Sequence, residues 1–266
     1  MGMRFHKMHG LGNDFVIVDG REQEVTITPK MARAIADRHR GIGCDQLILI
    51  EKSDKADVSM RIWNHDGGEV QSCGNAARCV VALTGATTIE TPAGVIEGSS
   101  EGSEFEVTVR TPRFGWKDIP VSYAVDTASL PFEWGELNKG FAVNVGNPHI
   151  VFFVEDPDKV QLDMRGPEIE NDPAFPERVN VHVAAVRDDG IHMRSWERGA
   201  GLTLACGTGA CATAVAAIAT KRATSPVAVH MPGGSLTISW EAGSPVRMRG
   251  AATHVFNGEL DPEAFR

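Results

Sequence analysis

Two stretches of this chain are copies of one another. Residues 60–79 read M-R-I-W-N-H-D-G-G-E-V-Q-S-C-G-N-A-A-R-C, and residues 193–212 read M-R-S-W-E-R-G-A-G-L-T-L-A-C-G-T-G-A-C-A. Aligned without a gap, Met60/Met193, Arg61/Arg194, Trp63/Trp196, Gly68/Gly201, Cys73/Cys206, Gly74/Gly207 and Ala77/Ala210 coincide 133 positions apart. Upstream, G-N-D-F-V-I-V (12–18) echoes G-N-P-H-I-V-F (146–152), and downstream T-P-A-G-V (91–95) echoes M-P-G-G-S (231–235). Three echoes in one order, spaced by half of a 266-residue chain, point to duplication. Such a chain is expected to fold as two similar halves, each with a cysteine in the same local setting.

That setting can be read from the residues. Val58, Met60 and Ile62 alternate as in a strand, and N-H-D-G-G (64–68) is a turn. Cys73-Gly74 then opens a helix through A-A-R-C-V-V-A-L (76–83) that ends near Gly85. In the second copy M-R-S-W is the strand, E-R-G-A-G (197–201) the turn, and Cys206 the start of the helix. The first turn of a helix carries unpaired N–H groups and a partial positive charge, which favour a thiolate. A small apolar residue that merely begins a helix fits the same spacing, because free cysteine is often buried. Two halves related by an approximate two-fold axis would aim both helix starts at one cleft. Each would carry a thiol there from the opposite side, which is the placement that inverting a carbon centre requires.

The other segments suit two α/β (α+β) halves. Thr28 and Pro29 cap and open a helix over 28–38, and a second helix is expected near 156–164. Short alternating runs such as 105–110 and 234–240, bounded by Gly, Pro and Asn, read as mostly antiparallel strands. T-P-R-F-G-W-K-D-I-P (111–120) is the best linker, giving expected halves of 1–115 and 116–250.

Composition narrows the functions available. A formal charge of −9 argues against nucleic acid or an anionic membrane as partner, since both attract a basic face. No apolar run approaches the roughly 18 residues of a membrane span. The start, M-G-M-R-F-H-K-M-H-G, has no apolar signal core, and His6 breaks the myristoylation pattern. Five cysteines without an export signal read as free thiols, so a cytoplasmic protein is expected. No C-x-x-C or H-E-x-x-H spacing marks zinc, and the glycine-rich strings complete neither a dinucleotide nor a P-loop pattern. No local signature marks a Schiff-base lysine. No metal and no cofactor are therefore expected.

The chain carries, in order, H-G-L-G-N-D-F (9–15), G-I-G-C-D-Q (41–46), W-N-H-D-G (63–67), C-G-N-A-A-R-C (73–79), G-N-P-H (146–149), F-P-E-R-V-N (175–180), E-R-G-A-G (197–201), A-C-G-T-G-A-C (205–211) and P-G-G-S-L (232–236). Through these motifs it resembles, over essentially its whole length, the diaminopimelate epimerases. It implies two pseudo-symmetric domains, each a mostly antiparallel β-barrel around a central helix, with the last strand (about 251–266) returning to the first. It also implies a homodimer and a pyridoxal-independent enzyme that interconverts L,L- and meso-diaminopimelate for lysine and peptidoglycan precursors. A cofactor-independent racemase for another amino acid remains an alternative. So does a thiol-redox protein with a regulatory Cys73–Cys206 disulfide.

The resemblance also implies roles. Cys73 and Cys206 become the acid–base pair. Gly74, Asn75, Gly207 and Thr208 offer backbone N–H groups to the reacting carboxylate. Asn13, Gln46, Asn64, Asn147, Asn180 and Arg198 match substrate-binding positions, where an arginine fork suits a carboxylate and amides suit either end of an amino acid. Glu197 matches a position beside the thiols and the substrate, and His149 one that supports the pair. Cys44, Cys79 and Cys211 read as packing residues. Ala76, where many members carry glycine, and Leu202, where many carry glutamate, depart from the pattern.

Overall fold

The computed structural model describes residues 2–265. They form two compact units. The first runs to Val107 and takes in the chain again from Gly250; the second is Thr108–Arg249.

The first unit contains β1 (Met3–Gly10), β2 (Asn13–Asp19), α1 (Pro29–Ala36), β3 (Gln46–Glu51), β4 (Val58–Asn64), β5 (Glu69–Val70), α2 (Gly74–Thr84), β6 (Thr88–Thr91), β7 (Gly94–Glu101) and β8 (Glu104–Thr108). Its last strand, Thr253–Leu260, pairs antiparallel with β1. The helix expected at 28–38 forms as α1: the Thr28 side chain accepts from the Met31 N–H at 3.2 Å, with Pro29 in the first turn. Met31, Ala32, Ile35 and Ala36 pack it onto Val16, Val18, Leu47, Leu49 and Trp63. Each such aliphatic side chain removed from water contributes about 1.5–3 kcal/mol. Helix α2 stops at Gly85, whose φ of 69° is the left-handed value that glycine adopts without strain.

The second unit contains β9 (Glu133–Trp134), β10 (Leu137–Asn138), β11 (Phe141–Asn144), β12 (Pro148–Phe153), α3 (Leu162–Glu170), β13 (Asn180–Arg187), β14 (Gly190–Glu197), β15 (Gly201–Thr203), α4 (Gly207–Ala219), β16 (Val227–Met231), β17 (Gly234–Ser239) and β18 (Arg247–Ala251). Its core gathers Trp134, Phe152, Phe175, Leu162 and Ile169. Helix α4 packs against β11, β12, β13, β14, β16 and β17. Ala210, Ala212, Ala214, Ala216 and Ala217 are all fully buried along it, and their short side chains let that many strands approach one helix.

The duplication is visible in the pairing. In the first unit β1 and β2 are antiparallel, β2 and β3 parallel, β3 to β5 antiparallel, β4 and β6 parallel, and β6 and β7 antiparallel. The second unit repeats the series with β11 and β12, β12 and β13, β13 to β15, β14 and β16, and β16 and β17. In each, the helix with the cysteine at its start lies between the short strand and the parallel crossover strand. The class is α+β and sheet-rich, as the sequence implied.

One element differs from its expected position. Residues 157–159 form a single 3₁₀ turn capped by Asp156, and α3 begins only at Leu162 and runs to Glu170. The sequence pattern stops at Gly166-Pro167, which are poor helix residues. The helix continues because Leu162 and Ile169 are buried, while Gly166 lies so close to Trp196 that an added Cβ would sit 2.3 Å from its ring. Among the described residues no helix is long and apolar enough to cross a membrane.

Candidate active site

In the first unit Cys73 is the N-cap of α2, with extended backbone angles (φ −147°, ψ 116°), and is half-buried. The amide side chains of the same unit bond to one another and to Asp45. Asn75, buried in the first turn of α2, donates through Nδ2 to Asn13 Oδ1 at 3.2 Å, and Asn13 Nδ2 donates to Asp45 Oδ2 at 2.9 Å. On the neighbouring strands Gln46 and Asn64 stand opposite one another, and Gln46 Nε2 donates to Asn64 Oδ1 at 2.8 Å. These bonds fix which end of each amide is committed. Gln46 Oε1 and Asn75 Oδ1 are buried acceptors with no hydrogen-bond partner, and leaving such atoms unmet costs about 1–3 kcal/mol each. Acceptors of this kind suit an ammonium group.

Asp45 belongs to the G-I-G-C-D-Q string, but the sequence reading gives it no role of its own. Besides Asn13 it accepts from the Asp14 N–H at 3.1 Å and from Arg38 at 2.8 Å. Burial works to raise the Asp14 pKa, but hydrogen bonds from Arg38 and Lys7 outweigh it and bring the carboxyl down to about 2. The strand end that carries Asn13 is thus held by fixed charges.

In the second unit Cys206 is the N-cap of α4, with the same extended conformation (φ −119°, ψ 106°) and 3% exposure. Its Sγ accepts from the Gly209 N–H at 3.3 Å and lies 3.7 Å from Thr208 Oγ1. The helix-start argument predicts a thiol shifted down. The balance goes the other way: burial, then the nearby Glu197 carboxylate, raise the Cys206 pKa well above its ordinary value, against the lowering effect of Gly209 and Thr208. Cys206 is a thiol.

The remaining second-unit candidates form a connected frame. Asn180, buried, donates through Nδ2 to the Pro148 carbonyl at 2.8 Å and accepts at Oδ1 from the Arg198 N–H at 2.9 Å. The Arg198 side chain donates to the Glu177 carbonyl at 2.8 Å, and Glu197 Oε1 accepts from Thr203 at 2.6 Å. Glu170, a buried carboxylate absent from the sequence-based candidates, accepts from Trp196 Nε1 (2.7 Å), the Gly199 N–H (2.9 Å) and Arg178 (3.2 Å), and so pins the Glu197–Gly201 turn. Asn147 Oδ1 and His149 Nε2 are 2.7 Å apart. His149 is fully buried, and burial followed by its neighbours His182 and Arg198 hold its pKa well below the ordinary value, so it is neutral.

The residues that duplicate one another are Asn13 and Asn147, Gln46 and Asn180, Asn64 and Glu197, and Cys73 and Cys206, each pair 133 or 134 positions apart. Of the departures, Ala76 is buried inside α2 and Leu202 is exposed on β15, opposite Trp196. Cys44, Cys79 and Cys211 are buried. Burial pushes the Cys44 thiol up to about 11 and the Cys79 thiol to about 12. Inert thiols of this kind are packing residues.

Comparison with known proteins decides the family. A family model described as diaminopimelate epimerase matches residues 5–113 and 141–255. The chain belongs to the diaminopimelate epimerase family. Among members, the diaminopimelate epimerase of Sphingopyxis alaskensis is 58% identical over 267 residues, covering 100% of both chains. That of Rhizorhabdus wittichii is 57% identical, covering 100% of this chain and 98% of its own. Solved structures show that the epimerase fold extends further. A PhzF-family phenazine biosynthesis protein from Bacillus anthracis superposes with a TM-score of 0.68 at 16% identity, covering 98% and 99% of the two chains. A hydroxyproline epimerase from Agrobacterium vitis does so with a TM-score of 0.66 at 16% identity, covering 99% and 94%. At such identities the likeness is one of fold.

Proposed function

We propose that this member of the family interconverts L,L- and meso-diaminopimelate through a two-base mechanism carried by Cys73 and Cys206. The observation that carries the reading is the N-cap position of both cysteines, at equivalent places in two units of repeated topology, in a chain that is 58% identical to a diaminopimelate epimerase.

One sulfur, as thiolate, removes the α-proton, and the electron pair left on carbon spreads into the α-carboxylate. The other sulfur, as thiol, delivers its proton to the opposite face. The product forms with the two protonation states exchanged, and no cofactor enters the balance. Cys206, raised by burial and by Glu197, is suited to be the thiol of the resting pair. The N–H groups of Gly74, Asn75, Gly207 and Thr208, in the first turns of α2 and α4, are suited to the charge that grows on the carboxylate, since unpaired amide donors are fixed there before the reaction begins. Gln46 Oε1 and Asn75 Oδ1 supply acceptors for ammonium. Asn13, Asn64, Asn147, Asn180, Glu197 and Arg198 hold the rest of the substrate.

The same reading places the protein in the cytoplasm, in lysine and peptidoglycan precursor synthesis, as a homodimer. Support for the dimer comes from Val255 and Phe256, 54% and 46% exposed on the last strand. Light scattering on the eluted protein tests it.

The deciding experiment is turnover of L,L-diaminopimelate in D₂O without pyridoxal phosphate. The thiolate holds only the proton it has just taken and returns that one to recovered substrate, whereas the thiol delivers a solvent-derived deuteron. Deuterium should therefore enter the product faster than it enters recovered substrate. Cys73→Ala and Cys206→Ala should each abolish epimerisation. Full activity in either variant, or a preference for an amino acid with one stereocentre, would refute the assignment.

A further inference from the structure

The second unit carries a polar line through a place where the first carries core. His149, His182 and Ser195 duplicate Phe15, Ile48 and Ile62 at the repeat spacing of 133 or 134. The registers agree. Ile48 stands opposite Ile62 across β3 and β4, as His182 stands opposite Ser195 across β13 and β14; Phe15 stands beside Gln46 as His149 stands beside Asn180. Phe15, Ile48 and Ile62 are wholly buried, and so are the two histidines, with Ser195 at 3%. A site that an apolar trio fills in one half therefore holds two imidazoles and a hydroxyl in the other, despite the cost of burying polar groups.

These groups form one line of hydrogen bonds. Asn147 Oδ1 and His149 Nε2 lie 2.7 Å apart, His149 Nδ1 and His182 Nε2 2.8 Å, and His182 Nδ1 and Ser195 Oγ 2.9 Å. Neutral imidazole has one donor and one acceptor nitrogen, so a single proton placement fixes all the others. Asn147 Oδ1 only accepts, so His149 carries its proton on Nε2 and presents a bare Nδ1. His182 must then donate from Nε2, which leaves its own Nδ1 to accept from the Ser195 hydroxyl. The line runs in one direction, from serine to asparagine. Its middle is held from above: an added Cβ on Gly209 would lie 2.5 Å from His182 Cε1 and 3.0 Å from Cys206 Sγ. The His182 ring is wedged under the turn that carries the catalytic thiol.

We propose that His182 and Ser195 are positioning residues that fix the His149 tautomer, and through it hold Asn147 with its NH₂ group directed at a substrate carboxylate. The proposal rests on the substrate-binding role read for Asn147 above. Neither residue touches the substrate. Without the His182 donor, His149 loses its reason to keep the proton on Nε2, and Asn147 loses the bond that selects its amide face.

The test has a spectroscopic and a kinetic part, both on the full-length protein. Long-range ¹H–¹⁵N spectra of ¹⁵N-histidine-labelled protein should show His149 and His182 as neutral Nε2–H tautomers. In His182→Leu the His149 signal should move or broaden, and kcat/KM for diaminopimelate should fall about 5- to 100-fold, mainly through KM, the size of effect of one buried group left unpaired. His182→Gln, whose amide NH₂ can stand where Nε2 stood, should recover most of the loss. If His182→Leu does not fold, Ser195→Ala decides, since it removes one oxygen and should produce the same change in tautomer and KM. An Nδ1–H tautomer for His149 in the unmodified protein would overturn the proposal. So would KM values within about twofold of the unmodified protein in the folded variants, because the unpaired group costs more than that. If the unmodified protein fails to turn over diaminopimelate, the functional reading falls, but the spectra still judge the hydrogen-bond line.

Discussion

The Gly209 N–H points at Cys206 Sγ from 3.3 Å, yet it does not make that sulfur a thiolate. Burial and the Glu197 carboxylate act against it and prevail. Exchanging that carboxylate for an amide should let the helix start dominate. In Glu197→Gln, Cys206 should alkylate faster at neutral pH, by about tenfold for each pKa unit recovered. Epimerisation should fall at the same time, because a resting thiolate cannot deliver a proton. Iodoacetamide labelling followed by peptide mass analysis reads the first effect and polarimetry the second. Unchanged labelling would show that burial alone holds the proton.

Asp45 organises Asn13 from its place beside Gln46 in the G-I-G-C-D-Q string. It accepts from Asn13 Nδ2, from the Asp14 N–H and from Arg38. Asp45→Ala should free the Asn13 side chain and raise KM by about tenfold, the loss expected when one charged hydrogen bond is removed. Its thermal midpoint should move little, because exposed ion pairs such as Arg38–Asp45 contribute about 0–1 kcal/mol. Steady-state kinetics beside a melting curve separate the two. A large fall in melting temperature with unchanged KM would make Asp45 a stability residue only.

Gly209 offers a steric test of the same helix start. An alanine methyl there would meet His182 at 2.5 Å and Cys206 Sγ at 3.0 Å, both inside a packed interior. Gly209→Ala should destabilise the protein by about 1–3 kcal/mol, the usual cost of overpacking. On the proposed two-thiol mechanism, activity should fall further than stability, since the methyl displaces the Cys206 sulfur. Urea unfolding with kinetics at a temperature where the variant is folded checks both. Unperturbed kinetics would mean that the turn can move without consequence.

Most of what was legible in the sequence was legible because it occurs twice. The glycine- and alanine-rich starts of α2 and α4, each behind a cysteine, announce themselves by composition, and the offset shows that they are counterparts. What stayed hidden depends on distant partners. Helix α3 runs through Gly166-Pro167 because Trp196 packs on it, and no local pattern records that contact. Glu170 and Asp45 look like ordinary surface acids until the turn and the strand end they hold are in place. The Cys206 shift runs opposite to the helix-start expectation for the same reason: helix position is local, but burial and the approach of Glu197 are tertiary. His182 and Ser195 did leave a signal, the replacement of isoleucine by polar residues between the copies, which becomes readable once the copies are aligned strand by strand.

Buried thiols predict how stability responds to alkali. Burial raises Cys44 from 9.0 to about 11 and Cys79 from 9.0 to about 12, and Cys206 also moves up, with Glu197 adding to burial. A thiol whose folded pKa is raised keeps its proton after the unfolded chain has lost its own. The stabilisation is therefore complete below pH 9 and is lost as pH climbs from there toward the folded values. Each such thiol steepens the decline by up to about 1.4 kcal/mol per pH unit inside that window. Urea unfolding between pH 7 and 11 should show a plateau and then a fall beginning near 9. In Cys44→Ala the starting stability is lower because a buried side chain has been trimmed, but the fall above pH 9 should be shallower than in the unmodified protein. Parallel curves for the two proteins would mean that water reaches Cys44 and that its thiol ionises in the folded state as it does in the unfolded chain.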